Sequence, residues 1–289
     1  MTVTPTNRTL DFSTIHVRFI APFDTPYFIG SQIRGAMGYA LKKVVCINPS
    51  QQCEGCFAAD HCLYFQWYEQ KGGYHAYRLD IELGKGYYDF SLLLFGDATS
   101  RLPYVISALQ RLLSVHGLGK ERHKIERYEM SLNGTDILQG GKVTLPQQTL
   151  QTFVLPETTP PKRLKITFVT PLRIKYRNRF VRNIAHLPLP TLIASIDARW
   201  KQLCGEAPSK LAHRVEGEIV DRFGTFKDLT RYSGRQRGHL KIGGLLGEMT
   251  VEGIDAQSYA LLQAAELIGA GKQTVFGLGK LKVEELDRI

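Results

Sequence analysis

Four of the five cysteines lie close together in the sequence, at Cys46, Cys53, Cys56 and Cys62. Thiolates are preferred ligands of structural zinc, and the C-x-x-C spacing of Cys53 and Cys56 lets two of them bind one side of a tetrahedral ion. A segment of this size cannot fold on buried apolar area alone, so the free energy of metal binding would stabilise it. We therefore predict a zinc knuckle over residues 45–66, in which zinc has a structural role.

Other states of these thiols are compatible with the same spacing. The cysteines could form disulfides or hold an iron–sulfur cluster, and His61 could replace one of them as a ligand. Residues 1–10 lack the apolar core of a signal peptide, and no apolar run is long enough to cross a membrane. We therefore expect a cytoplasmic protein with no membrane partner. Because disulfides are rare in the reducing cytoplasm, we prefer zinc.

The chain is basic, with a formal net charge of +10 over 289 residues. This charge favours a polyanionic partner, most simply a nucleic acid. Residues 158–196 and 229–246 contain no acidic residue but many basic ones. Basic side chains neutralise phosphates, and the interleaved Tyr176 and Phe180 offer faces on which unpaired bases can stack. The predicted nucleic-acid contacts in these stretches are Arg173, Lys175, Arg177, Arg179, Arg235 and Arg237.

A glycine-rich loop follows the last predicted helix. It contains two G-x-G pairs and a lysine between them: Gly269, Gly271, Lys272, Gly277 and Gly279. Glycine lets backbone amides approach a phosphate closely, so we predict that these residues bind RNA. The loop is not a nucleotide-binding P-loop, because Gln273 stands where a hydroxyl is needed for magnesium and because the loop leads from helix to strand. In the alternative interpretation, the first pair only caps the helix.

Hydrophobic periodicity gives the same order of elements in both halves of the chain. In the first half, strands are predicted at 14–23, 75–82, 87–95 and 124–132, and helices at 31–44 and 101–115. In the second half, strands are predicted at 163–174, 228–232, 244–251 and 274–283, and helices at 191–203 and 256–268. Ser31 and Asp255 are the predicted caps of the first and last helices.

The order strand, helix, strand, strand, helix, strand is that of the ferredoxin-like fold. We therefore predict an α+β protein with two tandem ferredoxin-like (RRM-like, βαββαβ) domains. The first comprises residues 1–154 and contains the zinc knuckle as an insertion. The second comprises residues 155–289 and contains the glycine-rich loop.

Several segments together resemble one known family. They are the glycine-rich loop, the strand end Thr170–Lys175, the segment Tyr232–Gln236 and the helical segment Ile33–Gly38. The chain resembles the CRISPR-associated precursor-RNA processing endoribonucleases, the Cas-six group of the RAMP superfamily, and its cysteine segment resembles a zinc-bearing branch of that group. The resemblance implies a protein that binds CRISPR repeat RNA, cuts it once per repeat to give guide RNA, and often assembles with other Cas effector-complex subunits.

The resemblance also implies a metal-independent reaction, in which the RNA's 2′-hydroxyl attacks the adjacent phosphate and leaves a 2′,3′-cyclic phosphate and a 5′-hydroxyl. The protein must orient the hydroxyl, help to remove its proton and offset charge on the phosphorane. Relatives often carry a histidine base on or near the first helix, where this chain has Tyr39. The catalytic candidates are therefore Tyr39, Arg34, Tyr27 and Lys42, with His61, His75 and His186 as further histidines to consider.

The lack of an obvious base keeps a second hypothesis open. In that alternative, the chain is a non-catalytic RAMP subunit that binds and caps the guide RNA hairpin in an effector complex.

Overall fold

The chain divides into two compact units. The computed structural model describes residues 8–70, 72, 74–233 and 238–286. The described residues within 11–151 form the N-terminal unit, and those within 152–289 together with those before residue 11 form the C-terminal unit. Helices and antiparallel sheets occur in both units, so the predicted α+β class is confirmed. Within the described ranges, no helix has the length and apolar character that a membrane span requires.

The N-terminal unit has the element order strand, helix, strand, strand, helix, strand, followed by short hairpin strands. These elements are β1 (Thr9–Phe19), α1 (Gly30–Val45), β2 (Tyr77–Ile81), β3 (Tyr88–Phe95), α2 (Leu102–Arg111), β4 (Glu129–Leu132), β5 (Thr135–Asp136), β6 (Leu138–Gln139) and β7 (Lys142–Val143). Short helical turns lie at Ala59–His61, Phe65–Glu69, Gly96–Arg101 and Leu112–His116. The main sheet has the strand order β2-β3-β1-β4-β5, and neighbouring strands pair antiparallel.

The core of the N-terminal unit follows from two periodicities. Alternate residues of β1 are buried, including Ile15, Val17 and Phe19, as expected for a strand that is covered on one side. On α1, Ile33 and Leu41 belong to a buried row at helical spacing, and α1 packs against α2. Because this face of α1 is buried against α2, the opposite face of the helix is available for other contacts.

The predicted cap of α1 is wrong. The helix begins at Gly30, Ile29 occupies the N-cap position, and no side chain accepts a hydrogen bond there. The N–H of Ile33 already donates to the carbonyl of Ile29 at 2.9 Å. Ser31 therefore lies inside the first turn rather than before it.

The long strands and helices of the C-terminal unit have the same order, and short strands are added between them. Its elements are β8 (Gln151–Val154), β9 (Arg163–Leu172), β10 (Lys175–Tyr176), β11 (Arg179–Phe180), α3 (Leu189–Leu203), β12 (Glu218–Lys227), β13 (Thr230–Ser233), β14 (Gly238–Lys241), β15 (Gly244–Glu252), α4 (Ala256–Ile268) and β16 (Leu281–Glu285), with short helical turns at Ile184–His186 and Thr274–Phe276. The main sheet has the order β12-β15-β9-β16, and all its neighbours pair antiparallel.

Two strands of this sheet differ from the prediction. β12 was not predicted, because it is an edge strand without a fully buried residue, and its sequence mixes charged and apolar residues. The strand predicted at 228–232 corresponds to β13, which pairs with β14 in a separate hairpin. The last strand was predicted too early, because Thr274–Phe276 forms a helical turn and β16 begins at Leu281.

The predicted cap of the last helix is confirmed. The carboxylate of Asp255 accepts a hydrogen bond from the backbone N–H of Ser258 at 2.8 Å. Burial by itself would raise the pKa of Asp255, but its hydrogen bonds with Ser258 and with the N–H of Glu216, and the nearby His213, outweigh that effect and lower it. The cap therefore fixes the start of α4, and α4 leads directly into the glycine-rich loop.

Candidate nucleic-acid interface

The acid-free stretch of the C-terminal unit forms an exposed hairpin. β10 and β11 pair through Lys175 with Phe180 and through Tyr176 with Arg179. The two residues between them, Arg177 and Asn178, both have positive φ, at 47° and 63°. Two such residues in a two-residue connection match the twist of a hairpin. Three of the predicted RNA contacts, Lys175, Arg177 and Arg179, are therefore exposed together on one short element.

Cations in this hairpin lie against its aromatic rings. The guanidinium carbon of Arg173 is 3.8 Å from the centre of the Phe180 ring, and the ammonium of Lys175 is 5.2 Å from it. The guanidinium of Arg177 is 5.1 Å from the Tyr176 ring. Both rings remain 36% exposed, so they can still accept a stacked base.

Arg173 differs from the other predicted contacts, because it is partly buried and bound within the unit. Its Nη1 donates to the carbonyl of Gly243 at 2.9 Å. Burial, and next the neighbouring Arg182, lowers the pKa of Arg173, while Asp228 acts in the opposite direction. Arg173 therefore joins the hairpin base to the residues before β15, and its cation also adds to the positive potential of the hairpin.

Next to the hairpin is a groove of about 750 Å³. Arg222 from β12 closes one side, because its Nη1 donates to the carbonyls of Ala185 at 2.9 Å and Ile184 at 3.2 Å. None of the residues that line the groove is acidic, and they are Tyr176, Arg177, Arg179, Phe180, Val181, Arg182, Asn183, Ala185, His186, Leu187, Pro188 and Arg222. Arginines beside partly exposed aromatic rings suit a nucleotide, because the arginines can bind its phosphate while its base stacks on a ring.

The other predicted contacts of the basic stretches are Arg235 and Arg237, and they lie outside the described residues. His186, which sequence analysis considered as a catalytic histidine, lies in the groove of the C-terminal unit and is exposed.

The glycine-rich loop packs against the end of β9. The N–H of Lys272 donates to the carbonyl of Arg173 at 2.8 Å, and the N–H of Gly279 donates to that of Pro171 at 3.2 Å. Gly271 and Gly279 both have positive φ. A Cβ on Gly271 would lie 2.7 Å from the carbonyl oxygen of Arg173, and one on Gly279 would lie 1.9 Å from that of Ala270.

These contacts explain two of the four glycines without a ligand. Gly271 and Gly279 are required because the chain's own carbonyl groups approach closely, and Gly269 is the C-cap of α4, as the alternative interpretation proposed. Gly277 ends the helical turn Thr274–Phe276 with φ 84°. RNA binding by the loop stays a prediction. The side chain of Lys272 is exposed, so it is the group of the loop that we expect to contact RNA most directly.

In the N-terminal unit, the catalytic candidates on α1 point to two different places. Arg34 and Lys42 face the helical turn after the cysteines: the guanidinium of Arg34 lies 4.5 Å from the Tyr68 ring, and the ammonium of Lys42 lies 4.9 Å from the Tyr64 ring. The two tyrosine rings stack at 5.3 Å. Arg34 also donates a hydrogen bond to the carbonyl of Trp67 at 3.2 Å, so its guanidinium already has a partner within the unit.

Tyr39 faces a different cluster. Its ring meets the imidazole of His116 edge to face, with centroids 4.9 Å apart, and it is 48% exposed. The cations of Lys43 and Arg122 each lie 5.9 Å from the Tyr39 ring. His116 ends the turn after α2, far from Tyr39 in the sequence, so no local sequence pattern connects the two residues.

The remaining candidates have other contacts. Tyr27 is 50% exposed and its carbonyl accepts from the N–H of Gly84 at 2.8 Å. The ring of His75 lies 5.7 Å from that of Tyr77, and His61 ends the short turn Ala59–His61. The structure therefore brings Tyr39 together with His116, and Arg34 together with Tyr68.

All four clustered cysteines are free thiols and partly exposed. Burial raises the pKa of Cys53, opposed by Lys42, while Glu69 and Cys62 add smaller increases. Cys53 and Cys62 thus lie close enough to influence each other. Among the residues that the structure describes, however, no group of three or more histidine, cysteine or acidic side chains is arranged to hold a metal ion. The four thiols do not form a zinc site in this arrangement, and zinc binding stays a prediction.

Comparison with protein families gives a match in each half of the chain. Residues 166–281 match the family model described as CRISPR-associated endoribonuclease Cas6, and residues 9–150 match a model described only as an N-terminal domain. Most of the C-terminal unit therefore matches the Cas6 endoribonucleases, and the resemblance to this family is confirmed to that extent. An uncharacterized protein of Archaeoglobus fulgidus is 24% identical over 298 residues, which cover 95% of this chain and 98% of that protein.

Solved structures show the same fold across both units. A Cas6 product complex from Thermus thermophilus superposes with a TM-score of 0.56 at 14% identity, and the match covers 95% of this chain and 100% of that chain. A partial Cas6-RT-Cas1–Cas2 complex matches with a TM-score of 0.57 at 14% identity over 97% of this chain. This chain spans about half of the length of that one, 47%.

Proposed function

We propose that this protein binds CRISPR repeat RNA and cleaves it to produce guide RNA, without a catalytic metal ion. The observation that carries the proposal is the hairpin Lys175–Phe180 with its groove, because cations and half-exposed aromatic rings alternate there inside the unit that matches the Cas6 endoribonucleases. Such a surface suits the phosphates and splayed bases of single-stranded or hairpin-flanking RNA.

The topology of both units supports a two-domain RNA-binding architecture. Each main sheet has its first strand in chain order between its third and fourth strands: β1 lies between β3 and β4, and β9 lies between β15 and β16. Together with the element order, this is the arrangement of a ferredoxin-like domain, so we interpret the chain as two such domains in tandem.

The chemistry that we propose is transesterification within the RNA. The 2′-oxygen attacks the adjacent phosphorus, the bond to the 5′-oxygen breaks, and the products carry a 2′,3′-cyclic phosphate and a 5′-hydroxyl. The protein contributes by holding the phosphate in line with the hydroxyl and by placing cations near the charge that develops. Tyr39, Arg34, Tyr27 and Lys42 stay candidates for these roles.

A direct experiment is to incubate the protein with a panel of labelled CRISPR repeat RNAs in excess EDTA. We expect one cut per repeat. A matched RNA with a 2′-deoxy nucleotide at the cut position should bind equally well and resist cleavage, because the nucleophile is missing. If the folded protein binds the repeats but cuts none of them, the chain is instead a binding subunit that caps guide RNA. If it neither binds nor cuts them, the proposed function is wrong.

For partners, we propose other Cas proteins in addition to RNA. The support is the fold shared with Cas6 chains that were solved in Cas6-RT-Cas1–Cas2 complexes. For the cysteine segment, we propose a structural zinc ion bound by Cys46, Cys53, Cys56 and Cys62. The support is their spacing and the proximity of Cys53 to Cys62, and the thiols would have to move closer together to bind one ion.

A further inference from the structure

We propose that His116 accepts the proton of the attacking 2′-hydroxyl and that the Tyr39 ring positions its imidazole. This inference rests on the proposed function, since it assigns a base to the same cleavage reaction. Without it, no histidine is assigned to the predicted position on α1, and tyrosine side chains are poor general bases at neutral pH. The inference thus places a histidine base, His116, beside the predicted catalytic position Tyr39 on α1.

The geometry places His116 where α1 and the end of α2 meet. The turn Leu112–His116 continues α2, and α2 packs against α1. This packing brings the Tyr39 ring to the imidazole, with centroids 4.9 Å apart and an interplanar angle of 81°. An edge-to-face contact of this kind favours one ring orientation. Because Tyr39 is 48% exposed, the pair is at the protein surface, where an RNA can reach it.

The two ring nitrogens of His116 have different surroundings. Nε2 is buried and has no hydrogen-bond partner in the described structure, so it cannot contact a substrate. This leaves Nδ1 as the nitrogen that a substrate hydroxyl can approach. The neutral tautomer with its hydrogen on Nε2 then has the free electron pair on Nδ1, which is the state that a general base needs.

Three cations from neighbouring segments act on the imidazole. Lys43 lies on α1, Arg111 at the end of α2, and Arg122 in the loop that follows. Burial, and then these three cations in the order Arg111, Lys43 and Arg122, lowers the pKa of His116. A lowered pKa favours the neutral imidazole, which is the form that can accept a proton. The same cations attract the scissile phosphate and offset charge on the phosphorane.

The proposed step balances as follows. The bond between the 2′-oxygen and phosphorus forms while the proton of the 2′-hydroxyl moves to Nδ1 of His116. The bond between phosphorus and the 5′-oxygen then breaks, and the leaving oxygen takes up a proton from water. His116 returns its proton to solvent, so no metal ion or other co-reactant is consumed.

The first test is cleavage of a repeat RNA in EDTA by His116→Ala, measured beside RNA binding. We expect the cleavage rate to fall by about 10²–10⁴-fold, the usual contribution of a general base, while RNA affinity changes little. His16→Gln is a matched control in the same unit, because the His16 nitrogens already contact Ser91 and Asp89. This control should cleave at the wild-type rate.

The second test is the pH dependence of the single-turnover rate, which a purely structural role would not move. In wild type, the rate should fall only at acidic pH, below the usual histidine range, because His116 must be neutral. Arg122→Gln removes one of the cations that lower the pKa, so the acidic limb should move to higher pH. Tyr39→Ala removes the ring that positions the imidazole and should lower the rate, whereas Tyr39→Phe keeps that ring and should lower the rate less.

The outcomes separate this inference from the proposed function. If wild type and His116→Ala cleave equally, or if Arg122→Gln leaves the acidic limb in place, His116 is not the base although the protein is still a ribonuclease. If His116→Ala loses RNA binding together with cleavage, the pH profile of Arg122→Gln tests the assignment. An acidic limb that moves to higher pH supports His116 as the base, and an unchanged limb contradicts it. If wild type itself cuts no repeat RNA, the assignment of His116 fails together with the cleavage that it explains.

Discussion

The ring of Tyr68 occupies the space beside Gly38 that a side chain there would need. A Cβ on Gly38 would lie 2.5 Å from Cε1 of Tyr68, and the hydroxyl of Tyr68 donates to the carbonyl of Arg34 at 3.1 Å. The glycine therefore allows the turn Phe65–Glu69 to pack tightly against α1. This contact fixes the cysteine segment between them to the helix, and it explains why Arg34 and Lys42 face the tyrosines.

The two glycines of α1 form a matched pair for a stability test. Gly38→Ala should destabilise the protein by about 1–3 kcal/mol, because the tyrosine ring must move. Gly35→Ala should instead stabilise it by about 0.5–1 kcal/mol, because nothing lies within 4 Å of the added Cβ and alanine has the higher helix propensity. Urea unfolding measures both changes. Equal effects of the two substitutions would contradict the packing of Tyr68 on α1.

The exposed cations of the β10–β11 hairpin should dominate the salt dependence of RNA binding. A triple variant with glutamine at Lys175, Arg177 and Arg179 should bind repeat RNA more weakly and reduce the slope of log K against log salt by about two to three. Titrations at several salt concentrations measure this slope.

The control for that variant removes three exposed lysines elsewhere in the same unit. Glutamine at Lys162, Lys210 and Lys282 causes the same loss of net charge. If the hairpin is the binding surface, this control should change the slope much less. Equal losses from both variants would indicate a general charge effect and would contradict a localised interface.

The glycine-rich loop should be sensitive to substitution for a reason within the protein. Gly271→Ala places a Cβ 2.7 Å from the carbonyl oxygen of Arg173 and also strains a positive φ, so it should destabilise the C-terminal unit by about 2–4 kcal/mol. Gly253→Ala is the matched control, with φ +64° and no atom within 4 Å, and should cost only about 1 kcal/mol. Thermal unfolding separates the two.

Lys272→Gln tests the RNA role of the same loop without this strain. If RNA binding by the loop matters, the variant should fold normally and bind repeat RNA more weakly. Unchanged affinity in a folded Lys272→Gln protein would leave the glycines with a structural role alone.

The cysteine segment should contain one zinc ion per chain. Metal analysis of protein purified without chelator should give about one zinc equivalent, and Cys53→Ser should lose the metal and destabilise the segment. Cys204→Ser is the control, because the Cys204 thiol lies apart in the C-terminal unit, contacts the carbonyl of Thr9 at 3.6 Å, and has a pKa raised by burial to about 12. It should keep the zinc. A brown, iron-containing preparation, or a colourless protein without metal, would contradict the zinc knuckle.

Sequence patterns predicted most helices and strands because burial on one face leaves a clear period. α1, α3 and α4 lie within two residues of the predicted bounds, and Asp255 caps α4 through an interaction local to its own turn. β12 alternates only between exposed and partly buried residues, and because this edge strand contributes no fully buried residue, its apolar residues do not mark that period in the sequence. The pairing of β12 is determined by its contacts within the sheet, and the local sequence does not contain that information.

The site was only partly predictable for a related reason. Tyr39 could be chosen from its place on α1, but its partner His116 is brought to it by the packing of α1 on α2, a contact between distant segments. Arg34 and Lys42 share a helix face with each other, as predicted, yet the structure directs both to Tyr64 and Tyr68. Which side of a helix is buried could be predicted, whereas what covers its other faces depends on the tertiary fold.

The most direct measurement of the central claim is the chemical nature of the RNA ends after incubation with a CRISPR repeat in EDTA. Mass spectrometry of the fragments should show a single cut that leaves a 2′,3′-cyclic phosphate on one side and a 5′-hydroxyl on the other. Intact RNA, or a 5′-phosphate product that appears only when a divalent metal ion is added, would contradict the account.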